Sequence, residues 1–304
     1  MKKKTLTLGL LALLGIFIFT ACEKENDEMK MPADMSIAEF ASTSADFSIL
    51  VQALKKANLY DVLDGTGNFT VFAPTNAAFT ALFNALGVTG VSDLSADALA
   101  PILLYHVLGE EKRSSMLQSG YLRTLSSANN NFLSLGINTS AGVKLNKETS
   151  VVSADVVVKN GVIHVIDKVL LPPTVVDHAL ANSSFSILVQ AVVKAGLVET
   201  LNGAGPFTIF APTNTAFEML FAQLGISGIN DLTAQDLTPI LLYHVVSGNV
   251  KSTDLSAGSV PTLNGNIQIA LIPSATINGN SNIVATDVQG INGIIHVIDK
   301  VLIP

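Results

Sequence analysis

The chain has no tryptophan, only four tyrosines and a single cysteine in 304 residues, and 13% of its residues are charged. One thiol cannot form an internal disulfide, so each folded unit must be held by its apolar core alone. The same scarcity removes the thiolate ligands of a metal centre, and no helical His-Glu-x-x-His arrangement replaces them. No Gly-x-Ser-x-Gly elbow is present, so nucleophilic catalysis lacks its usual parts. Gly65-Thr-Gly67 and Gly203-Ala-Gly205 precede strand patterns. A phosphate-cradling loop follows a strand and opens a helix, so these two are turns. Basic residues number 17 against 24 acidic ones, a formal net charge of −7, which disfavours nucleic acid and anionic headgroups as partners. No enzyme activity, cofactor or metal site is expected.

The first residues carry an address. Lys2, Lys3 and Lys4 form a cationic start, and Leu6 to Phe19 is an apolar run too short to span a bilayer comfortably. It ends in Phe19-Thr-Ala-Cys22, which resembles the lipobox of bacterial lipoproteins, with Phe19 where leucine is usual. Residues 1–21 are therefore expected to be a lipoprotein signal peptide, with Cys22 the lipidation site and 22–35 a flexible tether. An ordinary secretory signal with an incidental cysteine is the alternative. Cleavage would remove three of the 17 basic residues, leaving 14 against 24 acidic, a net charge of −10. Glu23-Lys-Glu-Asn-Asp-Glu28 has no apolar period, and Glu23 to Met35 reaches at most roughly 45 Å. A lysine followed by acidic residues just behind the lipidated cysteine resembles the surface-export signal of some didermal bacterial lipoproteins, which implies outward display.

The remainder repeats itself. Phe47-Ser-Ile-Leu-Val-Gln-Ala53 returns unchanged as Phe185-Ser-Ile-Leu-Val-Gln-Ala191, an offset of 138. The same offset relates Phe72-Ala-Pro-Thr-Asn76 to Phe210-Ala-Pro-Thr-Asn214 and Leu103-Leu-Tyr-His-Val107 to Leu241-Leu-Tyr-His-Val245. Ile163-His-Val-Ile-Asp-Lys-Val-Leu170 recurs at Ile295 to Leu302, an offset of 132. Units of about 130 residues are duplicated domains, expected over 36–172 and 173–304. Pro172 and Pro173 should make the junction short and stiff.

Each unit turns from helical to extended periodicity. Phe47, Leu50, Val51 and Leu54 keep a helical stripe, as do Phe185, Leu188, Val189 and Val192. Phe69 to Phe72 and Phe207 to Phe210 read as buried strands running into helices capped by Thr75 and Thr213. A further helix starts near Ser95 or Thr233 and contains Pro101 or Pro239, which a helix tolerates in its first turn or with a kink. Val151 to Val158 and Gly161 to Ile166 are β-branched strands, with Asn160-Gly161 and Asn292-Gly293 as turns. Helices first and strands later predict an α+β domain.

Phe69-Thr-Val-Phe-Ala-Pro-Thr-Asn-Ala-Ala-Phe79, the Tyr105-His106 pair and Gly161 to Leu170 resemble the signature segments of the fasciclin domain. The second copy matches at Phe207 to Phe217, Tyr243-His244 and Gly293 to Leu302, so the resemblance covers about Ser36 to Pro304. It implies a compact β-sandwich or wedge carrying several helices, and extracellular adhesion without catalysis. It also suggests Tyr105, His106, Tyr243 and His244 as ligand or adhesion contacts, since the Tyr-His segment of animal relatives is discussed as a receptor-contact region. Read from spacing alone, His106 and His244 lie on apolar helix faces and are core residues with satisfied hydrogen bonds. His164 and His296 share a strand face with apolar neighbours, and Asp167 and Asp299 fall on the opposite face. Asn76 and Asn214 are expected to bind local backbone. His178 replaces Phe40, so the duplicated scaffold does not need it.

The copies differ most between Leu125 and Asn146, where the first has six more residues than Leu263 to Asn278, including Ser126-Ser-Ala-Asn-Asn-Asn131. A longer hairpin loop, or a contact unique to the first domain, is expected there. The whole reads as a lipid-anchored adhesion protein that binds an extracellular protein or glycan. A glycan- or small-ligand-binding accessory of an uptake system, and a periplasmic envelope scaffold, are the alternatives. The first of these would concentrate ligand-stacking aromatics in a groove, against which stand the absence of tryptophan and the presence of only four tyrosines.

Overall fold

The structure, a computed structural model, describes residues 30–304. Cys22 and the expected signal peptide lie outside the described residues. The first domain opens with α1 (Ile37–Thr43), α2 (Ser48–Lys56) and α3 (Tyr60–Asp64), followed by β1 (Phe69–Pro74), α4 (Asn76–Leu86) and α5 (Ala96–Tyr105). Strands β2 (Val107–Leu108), β3 (Gly120–Ala128), β4 (Asn131–Asn138), β5 (Lys144–Leu145), β6 (Thr149–Val158) and β7 (Gly161–Ile166) complete it. The second domain repeats the order. Its helices are α6 (Val175–Ala181), α7 (Ser186–Lys194) and α8 (Val198–Asn202), then β8 (Phe207–Pro212), α9 (Asn214–Leu224) and α10 (Ala234–Tyr243). Its remaining strands are β9 (Val245–Ser247), β10 (Gly258–Thr262), β11 (Gly265–Ala270), β12 (Thr276–Ile277), β13 (Ser281–Gly290) and β14 (Gly293–Ile298).

The helix starts follow the capping chemistry in the sequence. Thr75 and Thr213 accept N–H bonds from Ala78 and Ala216, and Ser95 and Thr233 cap α5 and α10. Gly87 and Gly225 end α4 and α9 in the left-handed region, at φ 68° and 67°. Pro101 and Pro239 fall at the sixth residue of their ten-residue helices, past the first turn, where each removes one intrahelical hydrogen bond.

Each domain has one seven-stranded sheet, ordered β2-β1-β7-β6-β5-β4-β3 in the first and β9-β8-β14-β13-β12-β11-β10 in the second. Only β1 with β7, and β8 with β14, run parallel. β6 is shared: Thr149 and Ser150 pair with β5, whereas Val151 onward pairs with β7. Register shifts on either side of Ser153, with Asp155 left-handed at φ 63°, bend the stretch that pairs with β7. The sheet thus folds over itself and makes two cores. Val71, Ala73 and Ile163 pack outward under α1, α2, α4 and α5, while Phe72, Leu133, Leu135, Leu145 and Ile166 fill the sandwich. Alternation along β1 and β7 supplies both layers, which is the mixed α+β wedge expected.

Gly161 and Gly293 open β7 and β14 against the neighbouring strand. A Cβ on Gly161 would lie 2.0 Å from the Phe69 carbonyl oxygen, and one on Gly293 2.3 Å from that of Phe207. No larger residue fits there.

Candidate functional site

The Tyr-His segments lie inside the molecule. Tyr105 is 0% exposed and His106 2%, and Tyr243 and His244 are buried in the same way. Tyr105 Oη donates to the Ser134 carbonyl at 2.8 Å and accepts from Asn146 Nδ2 at 2.9 Å. Tyr243 does the same with the Asn266 carbonyl and Asn278. These tyrosines tie the helical layer to the far wing of the sheet, and none of the four side chains presents a surface for a ligand in this fold.

Both ring nitrogens of His106, His164, His244 and His296 are committed. His106 Nε2 accepts the Leu170 N–H at 2.9 Å, so Nδ1 carries the proton and donates to the Ile102 carbonyl at 2.8 Å. His244 repeats this with Leu302 and Ile240. Burial pulls both imidazoles down to about 4, the carbonyl bond opposing it, so they are neutral at physiological pH.

His164 takes the opposite tautomer. Its Nδ1 accepts the Asp155 N–H at 3.2 Å and its Nε2 donates to the Lys112 carbonyl at 2.8 Å, while its ring stacks on Phe72 at 5.5 Å. His296 matches with Asp287, Val250 and Phe210. The Asp155 carboxylate bonds the hydroxyl and N–H of Ser114, not the imidazole. A serine, a histidine and an aspartate therefore meet without the wiring of a relay, since the base has no free nitrogen and the hydroxyl serves the carboxylate. Asp167 and Asp299 cap the hairpins instead, accepting the N–H groups of Ser150 and Asn282. Among the described residues no group of three metal-ligating side chains gathers.

Asn76 and Asn214 differ from the local role expected of them. Asn76 Oδ1 accepts the Ile49 N–H at 2.9 Å, and Nδ2 donates to the Ala45 carbonyl and Ser48 Oγ, 27 to 31 residues away. Asn214 does the same with Ile187, Ser183 and Ser186. These amides hold the start of α2 or α7 against α4 or α9.

Asn160 and Asn292, read from sequence as turn residues, are clamps. Asn160 Oδ1 accepts the Ile37 N–H, and Nδ2 donates to the carbonyls of Leu63 and Gly65 at 2.8 and 2.7 Å. Asn292 joins Val175, Leu201 and Gly203 identically.

The six extra residues of the first domain lengthen strands, not a loop. β3 and β4 hold nine and eight residues against five and six in β10 and β11. Asn129 and Asn130, both left-handed at φ 52° and 60°, make a tight turn. The extended hairpin reaches the second domain, where Asn129 Nδ2 donates to the Ile291 carbonyl at 3.1 Å. Deeper in this seam, Ser134 Oγ accepts the Gln289 N–H at 2.9 Å. Tyr121 packs against the second domain's core, its ring edge-on to His178 at 5.5 Å and its hydroxyl accepting from Asn182. His178 in turn bonds the Gln289 carbonyl at 3.1 Å. The histidine that the duplicated scaffold does not need is thus a seam residue. The junction is fastened as well, with the Ile291 N–H donating to the Pro173 carbonyl at 2.8 Å.

Residues 45–172 and 183–304 each match the Fasciclin domain family. "Protein sll1483" of Synechocystis sp. is 40% identical over 132 residues, 43% of this chain and 73% of that protein. Human Periostin is 32% identical over 254 residues, which cover 82% of this chain and 30% of Periostin. Pig transforming growth factor-beta-induced protein ig-h3 is 29% identical over 283 residues, 91% of this chain and 39% of that protein. This chain spans well under half the length of either animal relative. The solved FAS1 domain pair of the insect cell adhesion molecule Fasciclin I superposes with a TM-score of 0.48 at 21% identity, covering 83% of this chain and 92% of that one. The chain belongs to the fasciclin domain family and carries two copies of the domain in tandem.

Proposed function

We propose that this is a lipid-anchored, cell-surface adhesion protein whose two fasciclin domains present one double head to an extracellular protein or glycan. Fasciclin domains are associated with cell adhesion and interaction, and the two matches account for nearly all of the described chain. That duplication is the observation that carries the reading. Anchorage rests on Cys22 and the segment before it; among the described residues no helix is long and apolar enough to cross a membrane. Several acyl chains on Cys22 would anchor firmly. The signature side chains hold the scaffold together, so contact falls to exposed loops and strand faces. Two weak contacts at fixed separation add avidity without a tight single site.

The chain lacking residues 1–21 is to be passed over arrays of matrix proteins and glycans, and cells deleted for the gene scored for attachment. Saturable binding to at least one class, with impaired attachment of the deletion strain, is the expected result. Binding no stronger than that of a charge-matched control, with attachment unchanged, would contradict the proposal.

A further inference from the structure

The two domains differ inside. Beneath α6, α7 and α8 the second domain encloses a cavity of about 120 Å³, whereas the equivalent space in the first measures about 20 Å³. Three substitutions remove bulk between the copies: Ile37, Leu54 and Tyr60 correspond to Val175, Val192 and Val198. Ala38 and Val71 correspond to the larger Val176 and Ile209, which return only part of that volume.

The entrance changes character too. In the first domain Ser42 Oγ lies 3.1 Å from Tyr60 Oη, and Lys55 Nζ sits 5.1 Å above the Tyr60 ring. This polar latch draws α1, α2 and α3 together over the small cavity. Its counterparts are Leu180, Val193 and Val198, all apolar and unable to latch. Leu180 and Val193 are 46% and 60% exposed and form an apolar rim.

The walls decide what could enter. His244 is the only lining residue that is not aliphatic or aromatic, and both of its nitrogens are already bonded to Ile240 and Leu302. No wall group is left to receive a polar ligand or to hold a water, which needs two to four partners. An engineered cavity of about 150 Å³ with similar walls in another protein stays dry and takes up benzene or xenon.

We infer that the second domain binds one small uncharged hydrocarbon group, a single aromatic ring or a short alkyl chain, in this cavity, and that the first domain does not. The site is independent of the adhesion surface proposed above.

The test is a benzene titration of the full chain with Leu and Val methyl groups labelled for NMR. Saturable shifts are expected at Leu188, Val175 and Val192, with the equivalents Leu50 and Leu54 unmoved. Grafting the latch with Leu180→Ser, Val193→Lys and Val198→Tyr should weaken binding at least tenfold, while the methyl spectrum of the first domain serves as the folding control. The reciprocal pair, Leu54→Val with Tyr60→Val, should create a response in the first domain and decides the matter if the graft does not fold. Phosphatidylcholine vesicles form a second arm. Perturbation of the same methyls by vesicles as well as benzene assigns the ligand group to a bilayer acyl chain, and by benzene alone to a free hydrophobe; both uphold the site. A non-saturable response, equal responses in the two domains, or an undiminished response in the folded graft would overturn it.

Discussion

Ser134 Oγ receives the backbone N–H of Gln289 at 2.9 Å, a buried bond between residues 155 apart in the chain. The same residue's carbonyl accepts the Tyr105 hydroxyl, so the seam is anchored directly to the first domain's interior. Ser134→Ala keeps that carbonyl but strands the Gln289 N–H, at a cost of about 1–3 kcal/mol. Calorimetry should show one cooperative transition for the parent chain and two separated transitions for the variant. An unchanged single transition would mean that the seam does not couple the domains.

Asn160→Ala removes three hydrogen bonds joining α1, the end of α3 and the β6–β7 hairpin. Two or more buried partners lose their bond, so a loss of about 2–5 kcal/mol is expected in urea unfolding. Asn160→Asp should not rescue, because a carboxylate cannot donate to the carbonyls of Leu63 and Gly65. A loss below about 0.5 kcal/mol, the ordinary range for a surface change, would refute the clamp.

Acid should destabilise the fold well before the carboxylates titrate. Burial holds His106, His178 and His244 near 4 in the folded state against 6.5 when unfolded. Between those values the unfolded chain binds protons that the folded chain refuses, so stability is full above pH 6.5 and falls toward pH 4. The slope approaches about 1.4 kcal/mol per pH unit for each histidine. Urea midpoints measured from pH 8 to 4 check this; a flat profile between 6.5 and 4.5 would contradict the buried, neutral assignment.

Gly161→Ala places a methyl 2.0 Å from the Phe69 carbonyl oxygen at a φ of 151°. The parallel β1–β7 pair must separate, and the first domain should lose its protected amides in hydrogen exchange while the second keeps most of its own. Wild-type protection in β1 and β7 would show that the strands do not approach this closely.

Much of the fold was legible because its signals are local. Thr75, Ser95, Thr213 and Thr233 cap the helices they precede, and the apolar neighbours of His106 and His164 imply the burial observed. Long-range uses of polar residues were not legible. Asn160-Gly161 has the chemistry of a turn whether or not the side chain also reaches α1 and α3. The extra residues around Asn129 gave no sign of entering strands, because register depends on the partner. His178 did carry a signal: a polar residue where the other copy has Phe40 marks a changed neighbour, here Tyr121 of the other domain. The cavity could have been suspected from the shrinkage of Ile37, Leu54 and Tyr60 to three valines, but only the packed structure shows that the remaining changes do not fill it.

The central claim, a head displayed outside the cell, is tested most directly by protease shaving of intact cells. An antibody to the second domain reports the chain, and a periplasmic protein serves as leakage control. Loss of the signal while the control survives is the predicted result. Survival of the second domain until the envelope is opened would place it in the periplasm and contradict the adhesion reading.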